Sequence, residues 1–284
     1  MNRHLSEGFK SRKFAARKRF GQNFLVDKNI IAKIVAAADI RPGDVVIEIG
    51  PGMGALTDAL AISGANVIAI ELDRDLVEEL KEKYSDIKDI EIICADALKV
   101  SYAEIAKRLK KKLKVVANIP YNISTPILFK LFKEREVFTA LLLMLQKEVA
   151  ERVVAVPGKK DYGALSVFSQ FFADVNIEFQ IPPTAFYPVP KVYSSIVRFD
   201  ILDKPRVEVE DMEIFKRVVK AAFGMRRKMI LNALKVLGLP GDILRSLLLE
   251  SAIDPRSRGE TIDIDRFGYL SNLLSKQIKN VLSK

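Results

Sequence analysis

Asp44-Val45-Val46-Ile47-Glu48-Ile49-Gly50-Pro51-Gly52-Met53-Gly54 is a β-branched apolar run that breaks into glycines and then into the helical pattern Ala55–Ile62. The run lacks polar alternation. That pattern marks a strand buried on both faces, and therefore a parallel sheet with helices on each side. Glycines at such a strand-to-helix turn let the backbone bend sharply and approach a ligand beside the helix N-terminal amides.

Outward from this stretch the same alternation repeats. Strands are predicted over residues 65–73, 90–96, 113–120 and Phe138–Gln146, with helices over 74–84, 102–110 and 125–133. A helix over Ala164–Phe172 precedes two further strands, 175–181 and 192–199, split by a proline-rich loop. This last pair is expected to add a hairpin-like antiparallel edge. The expected class is α/β, a Rossmann-like, mostly parallel sheet of seven strands. Composition shifts near residues 201–206, and from Met212 onward the pattern is helical only, broken at Gly238-Leu239-Pro240-Gly241 and Asp254-Pro255. A sheet domain over residues 1–203, beginning with a basic arm, and a small all-α domain over 204–284 are expected.

Composition narrows the chemistry. The chain has 284 residues, 49% hydrophobic and 29% charged, a well-mixed globular balance with ample length for a packed core. Its single cysteine, Cys94, excludes an internal disulfide and any multi-thiolate zinc site, and is expected to pack inside a buried strand. His4 is the only histidine, which removes Ser-His-Asp, Cys-His and histidine-based metal chemistry. No metal is expected. No apolar run approaches the roughly 18–20 residues of a membrane span. The basic start lacks the apolar core of a signal peptide, so a cytoplasmic location is expected.

The formal charge of +10 is clustered. Arg3, Lys10, Arg12, Lys13, Arg17, Lys18 and Arg19 stand against one acid, Glu7, in the first twenty residues. A second group is Lys107, Arg108, Lys110, Lys111, Lys112 and Lys114, equally readable as a solvated helix face. A third comprises Lys216, Arg217, Lys220, Arg226, Arg227 and Lys228. Interleaved Phe9, Phe14, Phe20 and Phe223 are available for stacking. Such patches suit a nucleic-acid backbone, whose binding is driven largely by counterion release.

The glycine motif with Glu71 following it fits a dinucleotide site as well as an S-adenosylmethionine site. Three features favour the second. Glu48 lies two residues before the first glycine. Asp96, in Ala95-Asp96-Ala97, is placed to meet an adenine amine. The fourth strand ends in Asn118-Ile119-Pro120-Tyr121, for which a dehydrogenase has no use. Alkylating an exocyclic amine requires drawing its delocalised lone pair out of the ring. Two acceptors can do this, the Asn118 side-chain oxygen and the Ile119 carbonyl, the latter held extended by Pro120. Tyr121 offers a face for the base, worth roughly 1–3 kcal/mol.

With these residues in view, the chain resembles the ribosomal RNA adenine dimethyltransferase family along essentially its whole length. The resemblance rests on Lys18-Arg19-Phe20-Gly21-Gln22-Asn23-Phe24-Leu25, on Glu48 to Thr57, and on Asn118-Ile119-Pro120-Tyr121-Asn122-Ile123-Ser124. It continues through Pro182-Pro183-Thr184-Ala185-Phe186-Tyr187-Pro188-Val189-Pro190-Lys191-Val192 and Phe223-Gly224-Met225-Arg226-Arg227-Lys228. It implies transfer of methyls from S-adenosylmethionine to N6 of two adjacent adenosines, in the hairpin loop near the 3′ end of small-subunit (16S) rRNA. An immature 30S particle is the implied partner, with a role in its biogenesis, and a monomer is expected. Gln22, Asn23, Leu25, Gly50, Gly52, Glu71, Asp96 and Asn118 are implied to contact the cofactor. Asn118, Pro120 and Tyr121 form the methylation site, with Phe186 on an exposed loop stacking opposite Tyr121. Arg17, Lys18, Arg19, Lys191, Arg226, Arg227 and Lys228 are expected to touch RNA. Two other readings remain: the related erythromycin-resistance methyltransferases of large-subunit rRNA, and a non-enzymatic binding module on the same fold.

Overall fold

The computed structural model describes residues 23–225 and 227–282. In chain order its elements are β1 (Phe24–Leu25), α1 (Lys28–Ala37), β2 (Val45–Ile49), α2 (Ala55–Ile62), β3 (Asn66–Glu71), α3 (Arg74–Lys83) and β4 (Ile90–Cys94). There follow α4 (Tyr102–Leu109), β5 (Leu113–Asn118), α5 (Ser124–Lys133), β6 (Phe138–Gln146), α6 (Lys147–Val154), α7 (Ala164–Phe172), β7 (Ala173–Ile181), β8 (Phe186–Tyr187) and β9 (Ser194–Ile201). Four helices close the chain: α8 (Met212–Gly224), α9 (Ile230–Leu234), α10 (Gly241–Glu250) and α11 (Ile264–Leu282).

Seven strands form one sheet in the order β4-β3-β2-β5-β6-β9-β7. The five from β4 to β6 are parallel to one another, and β9 is antiparallel to both its neighbours. After β2 the chain builds outward to β4, then returns to place β5 on the other side of β2. That reversal opens a crevice beyond the carboxyl ends of β2 and β5, where open α/β sheets bind their ligands. The last pair departs from expectation in one respect. The antiparallel strand is inserted between β6 and β7 instead of lying at the edge. Burial explains it, because β9 is largely covered whereas β7 alternates between covered and open positions, as an edge strand with one wet face does.

The strand period of two divides the core between the faces of the sheet. On β2, Val45, Ile47 and Ile49 face one apolar cluster and Val46 faces another. The second cluster takes Ile31 and Ile34 of α1, Leu56 and Leu60 of α2, and Leu80 of α3. The first takes Ile105, Ile127, Leu131 and Phe168 from α4, α5 and α7, then runs without a break into Phe215, Ile230, Leu244, Leu248 and Phe267 of the C-terminal helices. Phe171 and Phe215 stack with centroids 4.5 Å apart, and Tyr162 Oη donates to the Ile262 carbonyl at 3.0 Å.

Cys94 corrects a second expectation. It is exposed, because β4 is the other edge of the sheet and its end lacks a covering neighbour. Among the described residues, no helix is long and apolar enough to cross a membrane, and no group of His, Cys, Asp and Glu is placed to hold a metal ion.

Candidate active site

The carboxyl ends of β2, β3, β4 and β5 surround a cavity of about 230 Å³. Its wall brings together Asn23, Leu25, Gly50, Gly52, Glu71, Asp96, Asn118, Pro120 and Tyr121, which the sequence spreads from position 23 to position 121.

The glycine loop is held by backbone. Gly50 N–H donates to the Ile70 carbonyl of β3 at 2.9 Å, and Gly54 N–H to the Pro51 carbonyl at 2.9 Å. Gly52 has φ +57°, and a Cβ there would lie 2.8 Å from Cδ1 of Phe24, so both its conformation and its surroundings require glycine. Behind the loop, Tyr84 Oη sits 2.9 Å from the Gly54 carbonyl and 2.8 Å from Asp58 Oδ1, while Lys83 Nζ reaches Asp58 Oδ2 at 2.8 Å.

Three carboxylates line the cofactor side. Glu48 is wholly buried and accepts a hydrogen bond from Thr57 Oγ1 at 2.6 Å. Burial pushes its carboxyl up to about 8, and the nearby charges of Asp58 and Glu71 add to the effect, so it is mostly protonated at neutral pH. Glu71, at the end of β3, accepts from Leu72 N–H at 2.8 Å and Asp73 N–H at 2.9 Å. Burial raises its carboxyl and these amides oppose the rise. Glu71 faces the glycine loop across the cavity, and the nearby Gly52 amide helps to hold its carboxyl down. Asp96, after β4, is half-buried and accepts from Leu98 N–H through Oδ1 alone. Asp73, by contrast, caps α3 by accepting from Asp75 N–H.

At the end of β5, Asn118 Nδ2 donates to the Asn23 carbonyl at 3.1 Å. With the amide so oriented, Oδ1 is the atom left to accept. Pro120 has φ −54° and ψ 130° and leads into the single turn Tyr121–Ile123, which Ser124 Oγ closes on the Tyr121 carbonyl at 3.2 Å. Tyr121 is half-buried, with its hydroxyl 2.7 Å from Ser194 Oγ at the start of β9. Burial raises that phenol, and the bond to Ser194 offsets part of the rise. Ile119 lines the cavity and is at the same time buried in the main core cluster.

Phe186 is placed differently from the sequence expectation. It is 2% exposed rather than displayed on an open loop. β1 and β8 form a two-stranded antiparallel ribbon pairing Phe24 with Tyr187 and Leu25 with Phe186. Leu25 and Phe186 turn together into the second apolar cluster, and the aromatic beside Phe186 that is exposed is Tyr187. The prolines stiffen this loop, yet strand alternation decides which aromatic faces inward.

Lys191, Arg227 and Lys228 are exposed, while Arg17, Lys18, Arg19, Gln22 and Arg226 lie outside the described residues. Much of the middle basic cluster is engaged within the chain. Arg108 pairs with Glu91, Lys114 with Asp44, and Lys111 donates to the Gly43 carbonyl. Thr57, Tyr84 and Ser194 were not legible as site residues. Thr57 follows Glu48 by nine positions, one helical turn into α2. Ser194 meets Tyr121 across 73 residues, with no local signal.

A parallel sheet with this reversal, a glycine loop after its first central strand and acids ending the next two define a class I methyltransferase fold with a site fitted to S-adenosylmethionine. A family model described as ribosomal RNA adenine dimethylase matches residues 13–276. The ribosomal RNA small subunit methyltransferase A of Geobacter metallireducens is 47% identical over 262 residues, covering 91% of this chain and 95% of that protein. The crystal structure of a dimethyladenosine transferase from Plasmodium falciparum is 27% identical, with a TM-score of 0.74 over 90% of this chain and 98% of that one. That of the 23S rRNA methyltransferase ErmE is 26% identical, with a TM-score of 0.67 over 89% and 100%. The chain belongs to the ribosomal RNA adenine dimethylase family, and it is an rRNA methyltransferase.

Proposed function

We propose that the protein dimethylates N6 of two adjacent adenosines in the 3′-terminal hairpin loop of 16S rRNA, acting in the cytoplasm, as a monomer, on an immature small subunit. The observation that carries this reading is the Asn118 amide, anchored through Nδ2 so that Oδ1 remains an acceptor in the same cavity as the glycine loop.

The cofactor fits the residues present. Glu71 offers a carboxylate for two ribose hydroxyls, Asp96 an oxygen for an adenine amine, and the open glycine loop a surface for the charged end of the molecule. S-adenosylmethionine bound there supplies an electrophilic methyl group on a sulfonium. The remaining work falls to the protein. Asn118 Oδ1 and the Ile119 carbonyl accept the two amine hydrogens and draw the lone pair of N6 out of conjugation. Tyr121, fixed at its hydroxyl, gives the adenine a face to lie on. Alignment of nucleophile and methyl supplies most of the rate. A strong base is unnecessary, since the amine sheds its proton after alkylation.

We assign residues 204–284 as a helical RNA-binding unit, with Arg226, Arg227 and Lys228 against phosphate. Lys191 and the basic residues Arg17, Lys18 and Arg19 are assigned to the same partner. Phe186 is assigned to support the ribbon from beneath. The test is methyl transfer to small subunits lacking the modification, set against protein-free large-subunit rRNA, with mapping of the methylated nucleotides. Transfer to two adjacent adenosines of the small subunit supports the proposal. Transfer only to large-subunit RNA supports the erythromycin-resistance type of activity, to which the ErmE likeness points.

A further inference from the structure

One exposed aromatic side chain, on the strand paired with cavity-lining Phe24, has no role in the chemistry above. Tyr187 is 64% exposed, an unusual state for a large ring on a strand. Its position is set by register. In an antiparallel pair, directly opposed residues share a face, and Tyr187 opposes Phe24. Phe24 lies against Gly52, so Tyr187 shares its face of the ribbon with a residue that touches the glycine loop, while Leu25 and Phe186 pack into the second apolar cluster. The surface continues along the same loop with exposed Val189, Val192 and Tyr193, and Lys191 between them adds a cation. A run of large apolar side chains left open beside a ligand cleft is a contact surface. Tyr193 immediately precedes Ser194, whose hydroxyl holds Tyr121, so the patch borders the acceptor end as well as the glycine loop.

We propose that Tyr187 is a substrate-positioning residue that stacks on the nucleotide adjoining the target adenosine. This deepens, and rests on, the reading of the protein as a methyltransferase of two neighbouring adenosines. To present N6 in the cavity one adenosine must leave its stack, and its neighbour loses a stacking partner. An exposed phenol ring replaces that partner, and Lys191 meets the phosphate between the two nucleotides. Because the two adenosines are chemically alike, the same platform serves whichever of them is waiting.

The experiment compares the unsubstituted protein, Tyr187→Ala and Tyr187→Phe in methyl transfer to small subunits lacking the modification, with cofactor affinity measured by calorimetry for each. Tyr187→Ala should raise KM for the subunit on the order of 10- to 100-fold while leaving cofactor affinity within about twofold. Tyr187→Phe, which keeps the ring, should restore KM to within about threefold. A second measurement separates stacking from a general loss of fit. On subunits reconstituted with rRNA carrying an abasic nucleotide beside the target, Tyr187→Ala should cost less than about twofold, since the partner base is already gone. The proposal is overturned if Tyr187→Ala leaves KM unchanged, if Tyr187→Phe is as impaired as Tyr187→Ala, or if the abasic substrate preserves the full effect. If the unsubstituted protein itself transfers no methyl to these subunits, the proposed function fails and the platform with it. If transfer is normal and Tyr187→Ala behaves as wild type, the platform alone is lost.

Discussion

The two ends of the cleft are built by different means. The cofactor end is held by main chain and burial: Glu71 is grasped by two backbone amides, Glu48 is sealed in the protein and bound to Thr57, and the glycine loop hangs from Ile70. The acceptor end is held by two side-chain bonds, Asn118 to the Asn23 carbonyl and Tyr121 to Ser194, on residues that are only half-buried. The first end needs a fixed shape for one ligand. The second must admit a base, release it and accept its neighbour, and fewer fixed contacts suit that task.

The contrast can be tested most severely at Asn118. Asn118→Ala removes a preorganised acceptor and should lower kcat for methyl transfer on the order of 100- to 1,000-fold, with RNA affinity largely kept. Normal turnover by this variant would remove the distinction between the two ends. At the opposite end, Gly52→Ala forces a left-handed φ on a residue whose Cβ meets Phe24. It should cost about 1–3 kcal/mol of stability and most of the cofactor affinity, measured by thermal melting with and without S-adenosylmethionine. The companion change Phe24→Ala should recover only the steric part.

Glu48 gives a pH test. Its folded-state carboxyl lies at about 8, above the ordinary 4.5, so its contribution to stability is fully present below about pH 4.5 and is lost as pH rises through about 8. Glu48→Gln should remove that loss, giving a melting temperature that exceeds wild type above about pH 8 and converges with it below about pH 4.5. A difference independent of pH would show that Glu48 matters through shape alone. The smallest effect is expected at Ser194. Ser194→Ala frees the Tyr121 hydroxyl and should reduce kcat/KM about two- to tenfold, the value of one hydrogen bond. Tyr121→Phe should give a similar loss, and the double variant no more than either.

The difference between the ends also governs what could be read from sequence. The cofactor end is local. Gly50, Gly52, Glu71 and Asp96 each sit at or just past the tip of a strand whose nearly continuous apolar run announces it, and α2 occupies Ala55–Ile62 as predicted. The acceptor motif was legible because Pro120 and Tyr121 adjoin Asn118 in the chain. What escaped notice is non-local. The Tyr121–Ser194 bond depends on β9 entering between β6 and β7, and Phe186 was misjudged because its neighbours in sequence are prolines while its neighbours in space are Leu25 and the second cluster. α10 lies between the two breaks read in the helical C-terminal pattern, but its start was misplaced, because Gly241 opens the helix that buries Leu244, Leu247 and Leu248. α6 was hidden because its small apolar face, Ala150 and Val153, follows β6 without a break.

The stacked rings of Phe171 and Phe215 carry one more consequence. They join α8 to α7 inside the apolar cluster that also covers one face of the sheet, so pulling the C-terminal helices away would strip those rings and uncover the core beneath the crevice.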